Sequence, residues 1–244
     1  MKEGDLKVYA AEGTHEKVIE IFRSFEKGIV LDCPCGQGAF AKGLGDMDFK
    51  VVCADVSRDN FSLKNHMFCQ LDMNLYLPFS DGVFDHVACI EGVEHIENPF
   101  LLLREFGRIL KGGGNLILTT PNIMSIKSRA RFFFYSYFDY FKYPSWEHLY
   151  KSGDMDFLHE HITAMTLPAL SHALGKAGFD MVRLYTNRYR KAKKLGFFYP
   201  LFKMLVKRFT SRTYGEGGIL VSDEVLEGDI LIIHARKRPV NDKR

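Results

Sequence analysis

The 244-residue sequence predicts an α/β domain: a doubly wound, mostly parallel seven-stranded sheet with helices on both faces. Three observations carry this. Short apolar runs that suit fully buried strands alternate with segments of helical apolar spacing. A glycine-containing turn joins the first such strand to a helix, and the next strand ends in an acid, the pattern of nucleotide-binding sheets. An apolar fraction of 46% with 26% charged residues suits one large core and excludes a disordered chain.

In chain order, HEKVIEIFRSF (15–25) has helical spacing and GIVLDC (28–33) is the first buried strand. A glycine turn at 36–38 and a short helix lead to FKVVCADV (49–56), the second strand. SRDNFSLK (57–64) is helix-like and Asn65–Leu71 is a third strand, while PFSDGVFDH (78–86) turns into HVACIE (86–91), the fourth. In NPFLLLREFGRIL (98–110), Asn98 serves as N-cap and Pro99 as the first helical residue. The run from Lys111 to Gly114 stops that helix, and NLILTT (115–120) is the fifth strand. TLPALSHALGKAG (166–178) is a helix ended by glycine; FDMVRLYT (179–186) and GDILIIHARK (228–237) are the sixth and seventh strands. No repeat or linker divides the chain, so 1–244 is expected to be one domain, with lid-forming insertions over about 123–160 and 187–222 and a frayed tail PVNDKR.

The net charge of +3 conceals an asymmetry: residues 181–215 hold ten Lys or Arg and no acid, leaving 23 basic and 30 acidic residues elsewhere, a net of −7. Eleven of the 33 aromatic residues fall between Arg131 and Tyr150. The start MKEGDLKVYAAEG lacks the apolar core of a signal peptide, and no apolar run approaches the ~20 residues that span a bilayer. The five scattered cysteines suit reduced, buried thiols, so the expected compartment is cytoplasmic. Cys33-Pro-Cys35 lacks a second pair or a nearby His to complete a zinc site.

The unit Val30-Leu-Asp-Cys-Pro-Cys-Gly-Gln-Gly38 is strand, tight turn, helix, where small residues admit a ligand close to the backbone. Asp55, 23 residues after Asp32, suits a bidentate grip on ribose hydroxyls. The spacing is not GxGxxG, and no Lys-Ser/Thr follows as a P-loop needs. This turn resembles motif I of the class I S-adenosylmethionine-dependent methyltransferases, with Pro34 in place of the first glycine and one backbone donor removed. ADVS (54–57), QLDMN (70–74), LPFSDGVFDHVACIEGVEHIENP, RILKGGGNLILTTPN and AGF (177–179) match further family landmarks in order. The resemblance covers roughly 14–187 and the last strand. It implies a Rossmann-like fold with an antiparallel last strand and S-adenosylmethionine as cofactor. It places Asp32, Pro34, Cys35, Gly36 and Gly38 around the methionine part, Asp55 at the ribose, Asp72 beside the adenine amine and Met73 against its ring, with Val56 and Ile90 as further cofactor-binding residues.

After the fourth strand, Glu91, Glu94 and His95 stand at i, i+3 and i+4, which would share one face of a helical turn. Two carboxylates and an imidazole so crowded favour a shared proton or a divalent cation such as Mg²⁺, with His161 of HEHIT (159–163) as a fourth ligand and His159 as a surface residue. This ExxEH pattern is similar to that of the ubiquinone-pathway O-methyltransferases and the small-RNA 3′-terminal 2′-O-methyltransferases, in which these residues are implicated in holding a metal. Many relatives carry only the E-H pair as a structural element, so the metal-free alternative stands beside it. His95 and His161 are the candidate general bases for a hydroxyl acceptor.

The acceptor is expected to be a small or lipid-linked metabolite, a glycan or a quinone precursor. TTPN and HIT segments are also similar to those of cell-surface polysaccharide methyltransferases. The aromatic 123–150 and basic 183–213 stretches have two competing readings: contact with an anionic membrane, or a lid with a solvated cationic face. Nucleic acid is not an expected partner, because no RNA module is present and the acidic body would repel a polyanion, although an RNA 2′-O-methyltransferase is the runner-up enzyme. A non-catalytic cofactor-binding regulator is the third reading.

Overall fold

The computed structural model describes residues 6–142, 160–191, 193–215 and 218–239. Its sheet has the order β3-β2-β1-β4-β5-β7-β6, built from β1 (Ile29–Asp32), β2 (Lys50–Asp55), β3 (Met67–Gln70), β4 (Phe84–Cys89), β5 (Leu110–Pro121), β6 (Phe179–Thr186) and β7 (Ile230–Lys237). All neighbours pair in parallel except β7, which runs antiparallel to both β5 and β6. The chain winds outward from β1 in one direction and from β4 in the other. The carboxyl ends of β1 and β4 therefore flank the crevice where open α/β sheets take ligands.

Helices α1 (Thr14–Phe22), α2 (Ala39–Gly45), α3 (Pro99–Ile109), α4 (Ile126–Tyr135), α5 (Leu167–Lys176), α6 (Tyr199–Tyr214) and α7 (Asp223–Glu227) complete the described fold. One sheet face buries Leu31, Val87, Leu116 and Ile233 with Leu102, Phe106 and Leu170 of α3 and α5; the other buries Val30, Ala88 and Ile117 with Phe22 and Phe40 of α1 and α2. Asn98 caps α3 as its sequence implies, its Oδ1 accepting from the Leu101 N–H at 3.0 Å. Thr166 does the same for α5.

Two elements differ from expectation. Residues 57–64 form turns instead of a helix: Ser57 N–H donates to Asp55 Oδ1 at 3.1 Å, and Ser62 N–H to the Gln37 carbonyl. The local Asp55 side chain and the distant Gln37 carbonyl take donors that a helix would use. The glycines at 112–114 do not end α3, which stops at Ile109; they lie inside β5, which begins at Leu110 and whose pairing with β4 shifts register between Phe84 and His86. The aromatic residues 143–150 and His159 lie outside the described residues.

Under the amino-terminal edge of the sheet, a polar chain threads the core. Asn115 Nδ2 donates to His86 Nδ1 at 3.1 Å, His86 Nε2 donates to the Glu26 carbonyl at 2.9 Å, and His234 Nε2 donates to Asn115 Oδ1 at 2.9 Å. Burial, then the neighbouring Arg236 and His86, hold His234 down at about 4, against 6.5 for a free imidazole. The unfolded chain thus takes up a proton near pH 6.5 that the folded protein accepts only near 4, so stability declines as pH falls through that window. Discounted for partial solvent exposure, His234 should account for roughly 1–2 kcal/mol of that loss. Urea unfolding at pH 7 and 4.5 should show a shallower pH dependence for His234→Gln, and identical slopes would contradict this role.

Candidate active site

The turn after β1 is pinned between both neighbouring strands: Cys33 N–H donates to the Ala88 carbonyl at 3.0 Å and Cys35 N–H to the Ala54 carbonyl at 2.9 Å. Pro34, between them, withholds no donor that either strand uses. A Cβ on Gly92 would lie 2.5 Å from Pro34 Cδ, so glycine at 92 accommodates proline at 34. Gly38 has φ +93°, and a Cβ there would come within 2.8 Å of Leu63 Cβ. Gly36 N–H donates to Asp55 Oδ2 at 2.9 Å and Gly38 N–H to the Cys35 carbonyl at 2.9 Å. These two N–H groups are spent on Asp55 and within the turn, while N-cap Gly38 supplies no side-chain acceptor to the first N–H groups of α2.

Asp32 is 1% exposed, and neither carboxylate oxygen has a hydrogen-bond partner among the described residues. Burial, reinforced by the charge of Asp55, pushes its carboxyl well above the usual range. An orphaned buried carboxylate at the mouth of this crevice suits the cationic sulfonium and ammonium end of S-adenosylmethionine. Asp55 gives one oxygen to Gly36 N–H and the other to Ser57 N–H, which fixes the carboxylate plane at the end of β2. Val56 beside it is exposed and Ile90 is buried. Asp72 Oδ1 accepts from both Asn74 N and Nδ2, so one oxygen is spent on its own turn. Met73 packs against the larger core, and the Cys35 side chain is buried in the other, so their side chains serve packing.

The acidic–histidine cluster is assembled differently from its spacing. Glu91 has φ +45° and precedes the 3-10 turn Val93–His95 instead of sharing it. Its N–H donates to Thr119 Oγ1 at 2.8 Å, while its Oε1 accepts from Ala11 N–H at 2.8 Å and Thr14 Oγ1 at 3.2 Å. The expectation that Glu91 joins Glu94 and His95 on one helical face is thus corrected: the left-handed backbone turns it toward the N-terminal segment. Glu94, His95 and His161 do converge, with one ligand atom from each lying within 4.8 Å of the others.

Docking of 160–163 explains this convergence. Ile162 and Thr163 N–H groups both donate to the Glu94 carbonyl at 2.9 Å, and Thr163 Oγ1 donates to the Ile96 carbonyl at 2.5 Å. His95 Nδ1 donates to the Glu160 carbonyl at 2.9 Å, which leaves Nε2 as its basic nitrogen. The rings of His95 and His161 meet edge to face at 4.7 Å, and Phe141 covers His161 at 5.3 Å. Glu94 is fully buried with neither oxygen hydrogen-bonded among the described residues; burial, then Glu91, pushes its carboxyl up to about 8. Burial, then His95, holds His161 down at about 4. At neutral pH without a cation, Glu94 is mostly protonated and His161 neutral.

Several contributors carry no sequence signal. Lys7 N–H donates to Gln37 Oε1 at 2.8 Å and Tyr9 Oη to Asn60 Oδ1 at 2.9 Å, laying residues 7–11 across the cofactor turn. Buried Asp229 accepts from Arg188 Nε at 2.9 Å, Arg190 Nη1 at 2.9 Å and Tyr140 Oη at 3.0 Å.

The order of the strands, the single reversed strand β7, and an acid-flanked turn at the switch point define the class I methyltransferase fold with its S-adenosylmethionine cleft. The chain belongs to the methyltransferase domain family, whose model matches residues 9–184. An S-adenosylmethionine-dependent methyltransferase of Archaeoglobus fulgidus superposes with a TM-score of 0.58 at 21% identity, over 92% of this chain and 95% of that one. An uncharacterized protein of Methanocaldococcus jannaschii is 38% identical over 120 residues, 47% of this chain and 51% of its own. A ubiquinone biosynthesis O-methyltransferase of Xanthomonas oryzae is 28% identical over 104 residues, 38% of this chain and 43% of its own. The alignments span about half the length of these curated relatives or less.

Proposed function

We propose that the protein transfers the methyl group of S-adenosylmethionine to a hydroxyl oxygen of a small or lipid-linked acceptor, such as a glycan or quinone precursor. The observation that supports it is the cluster of Glu94, His95 and His161 beside the cofactor turn. S-adenosylmethionine, when bound, supplies the electrophilic methyl group. An alcohol or phenol must lose a proton as its oxygen is alkylated, whereas a neutral amine can be alkylated first. His161, kept neutral by burial, and His95, whose Nδ1–H is held by the Glu160 carbonyl, suit removal of that proton. Buried Glu94 has an oxygen within 4.8 Å of a nitrogen of each ring, and its ionised form, favoured once a cation stands beside it, would support the histidinium that results.

A second reading is favoured by the orphaned oxygens of Glu94: a divalent cation such as Mg²⁺ held by Glu94, His95 and His161. Such an ion would lower the pKa of a bound hydroxyl. Glu91 is turned away, so only three of the four residues anticipated for it are gathered. Incubation with methyl-labelled S-adenosylmethionine and a panel of phenols, sugars and amines, with Mg²⁺ or EDTA, tests both. Label in ethers supports O-transfer; label confined to amines would sink it. Loss of turnover in EDTA restored by Mg²⁺ would favour the metal, and indifference to EDTA would remove it.

A further inference from the structure

Helix α6 packs on the body through Tyr199, Phe202 and Val206, which meet Ile126 and Leu226. At 3.6 residues per turn, the opposite side carries Leu201, Met204, Leu205, Arg208 and Arg212. A surface helix ordinarily turns polar residues outward. Here Leu201 is 51% and Met204 56% exposed, and the preceding Phe197 and Phe198 are 94% and 68% exposed. The tip of α4 adds Phe133 and Phe134, also largely exposed.

The charges on this side have one sign. Lys203 is taken by Asp223 and Glu227, and Arg188 and Arg190 by Asp229. Among the described residues, no carboxylate lies within ion-pair distance of Arg208 or Arg212, and residues 181–215 contain no acid. Topology places both elements at one edge of the sheet. Helix α4 follows the carboxyl end of β5, and α6 lies between the carboxyl end of β6 and the start of antiparallel β7. This is also the edge that opens onto the cofactor crevice.

We propose that α6 and the tip of α4 form a peripheral docking surface for an anionic lipid bilayer. The apolar side chains enter the headgroup boundary, while Arg208 and Arg212 meet the lipid phosphates. The charge complementarity selects this occupant: a purely apolar protein interface would leave two unpaired guanidinium groups to desolvate. Among the described residues no helix is long and apolar enough to cross a membrane, so attachment would be to one leaflet. The inference is independent of the acceptor and of methyl transfer.

Flotation of the full chain with vesicles of phosphatidylcholine alone, or of equimolar phosphatidylcholine and phosphatidylglycerol, tests it. Co-flotation with the anionic vesicles at low salt, weakened by added salt, is expected. Arg208→Glu with Arg212→Glu should lower partitioning at least about tenfold, and Leu201→Ser with Met204→Ser should lower it comparably. All four side chains lie on the outward side, so circular dichroism should be unchanged. Failure to float at low salt, equal binding to neutral vesicles, a dimer in light scattering that Leu201→Ser with Met204→Ser dissolves, or retention by RNA in place of vesicles would each overturn the proposal.

Discussion

Replacing Asp55 with Ala should weaken binding of S-adenosylmethionine at least about 100-fold, roughly 2.7 kcal/mol. Two losses combine. The family resemblance assigns the carboxylate at the end of β2 to the ribose hydroxyls, and a bidentate charged contact is among the stronger hydrogen-bonding arrangements. The same carboxylate accepts from Gly36 and Ser57 N–H groups, so its removal leaves one backbone donor of the cofactor turn and one just after β2 without partners. Each such donor costs on the order of 1–3 kcal/mol where water cannot replace the acceptor. Asp55→Asn keeps one acceptor oxygen and should lie between wild type and Ala. Calorimetric affinity, read beside a urea unfolding curve, separates the contributions. Undiminished affinity in Asp55→Ala would remove this residue from the cofactor site.

The second large effect belongs to the histidines. His95→Ala and His161→Ala should each lower kcat by about 10²–10⁴-fold while cofactor affinity changes little, because positioned general bases contribute on that scale. Their double variant should be little worse than the more damaging single one if the two rings, in contact at 4.7 Å, work as a unit. Glu94→Gln preserves the shape of a protonated carboxyl but removes its ability to carry charge. It should retain the fold and lose turnover if Glu94 supports a cation, whether histidinium or metal. Wild-type turnover in all three variants, measured on the acceptor found in the labelling panel, would end the assignment of acid–base work to this cluster.

Much of the fold was legible because it rests on local chemistry. The buried strands, the Asn98 and Thr166 caps and the glycine turn all announce themselves within a few residues. Asp32 and Asp55 were legible for the same reason: each sits at the end of a strand adjoining the turn. Glu91 was not, since i, i+3 and i+4 share a face only if the backbone is helical throughout, and φ at Glu91 is +45°. Its true partners, Ala11 and Thr14, are about 80 residues distant in sequence. His161 was legible from its HIT context, but the Glu160 carbonyl that sets the His95 tautomer was not, because a backbone carbonyl has no sequence signature. The acid-free segment was conspicuous as charge. Which cations are spent on Asp223, Glu227 and Asp229, and which face outward, depends on α6 packing through Tyr199, Phe202 and Val206.

The central claim is that the crevice between the ends of β1 and β4 holds S-adenosylmethionine. Titration calorimetry of the wild-type protein with S-adenosylmethionine and with its demethylated product S-adenosylhomocysteine tests it most directly. Saturable one-to-one binding of both, lost in Asp55→Ala, is the predicted result. Absence of binding by either compound to a protein that is folded by circular dichroism would contradict it.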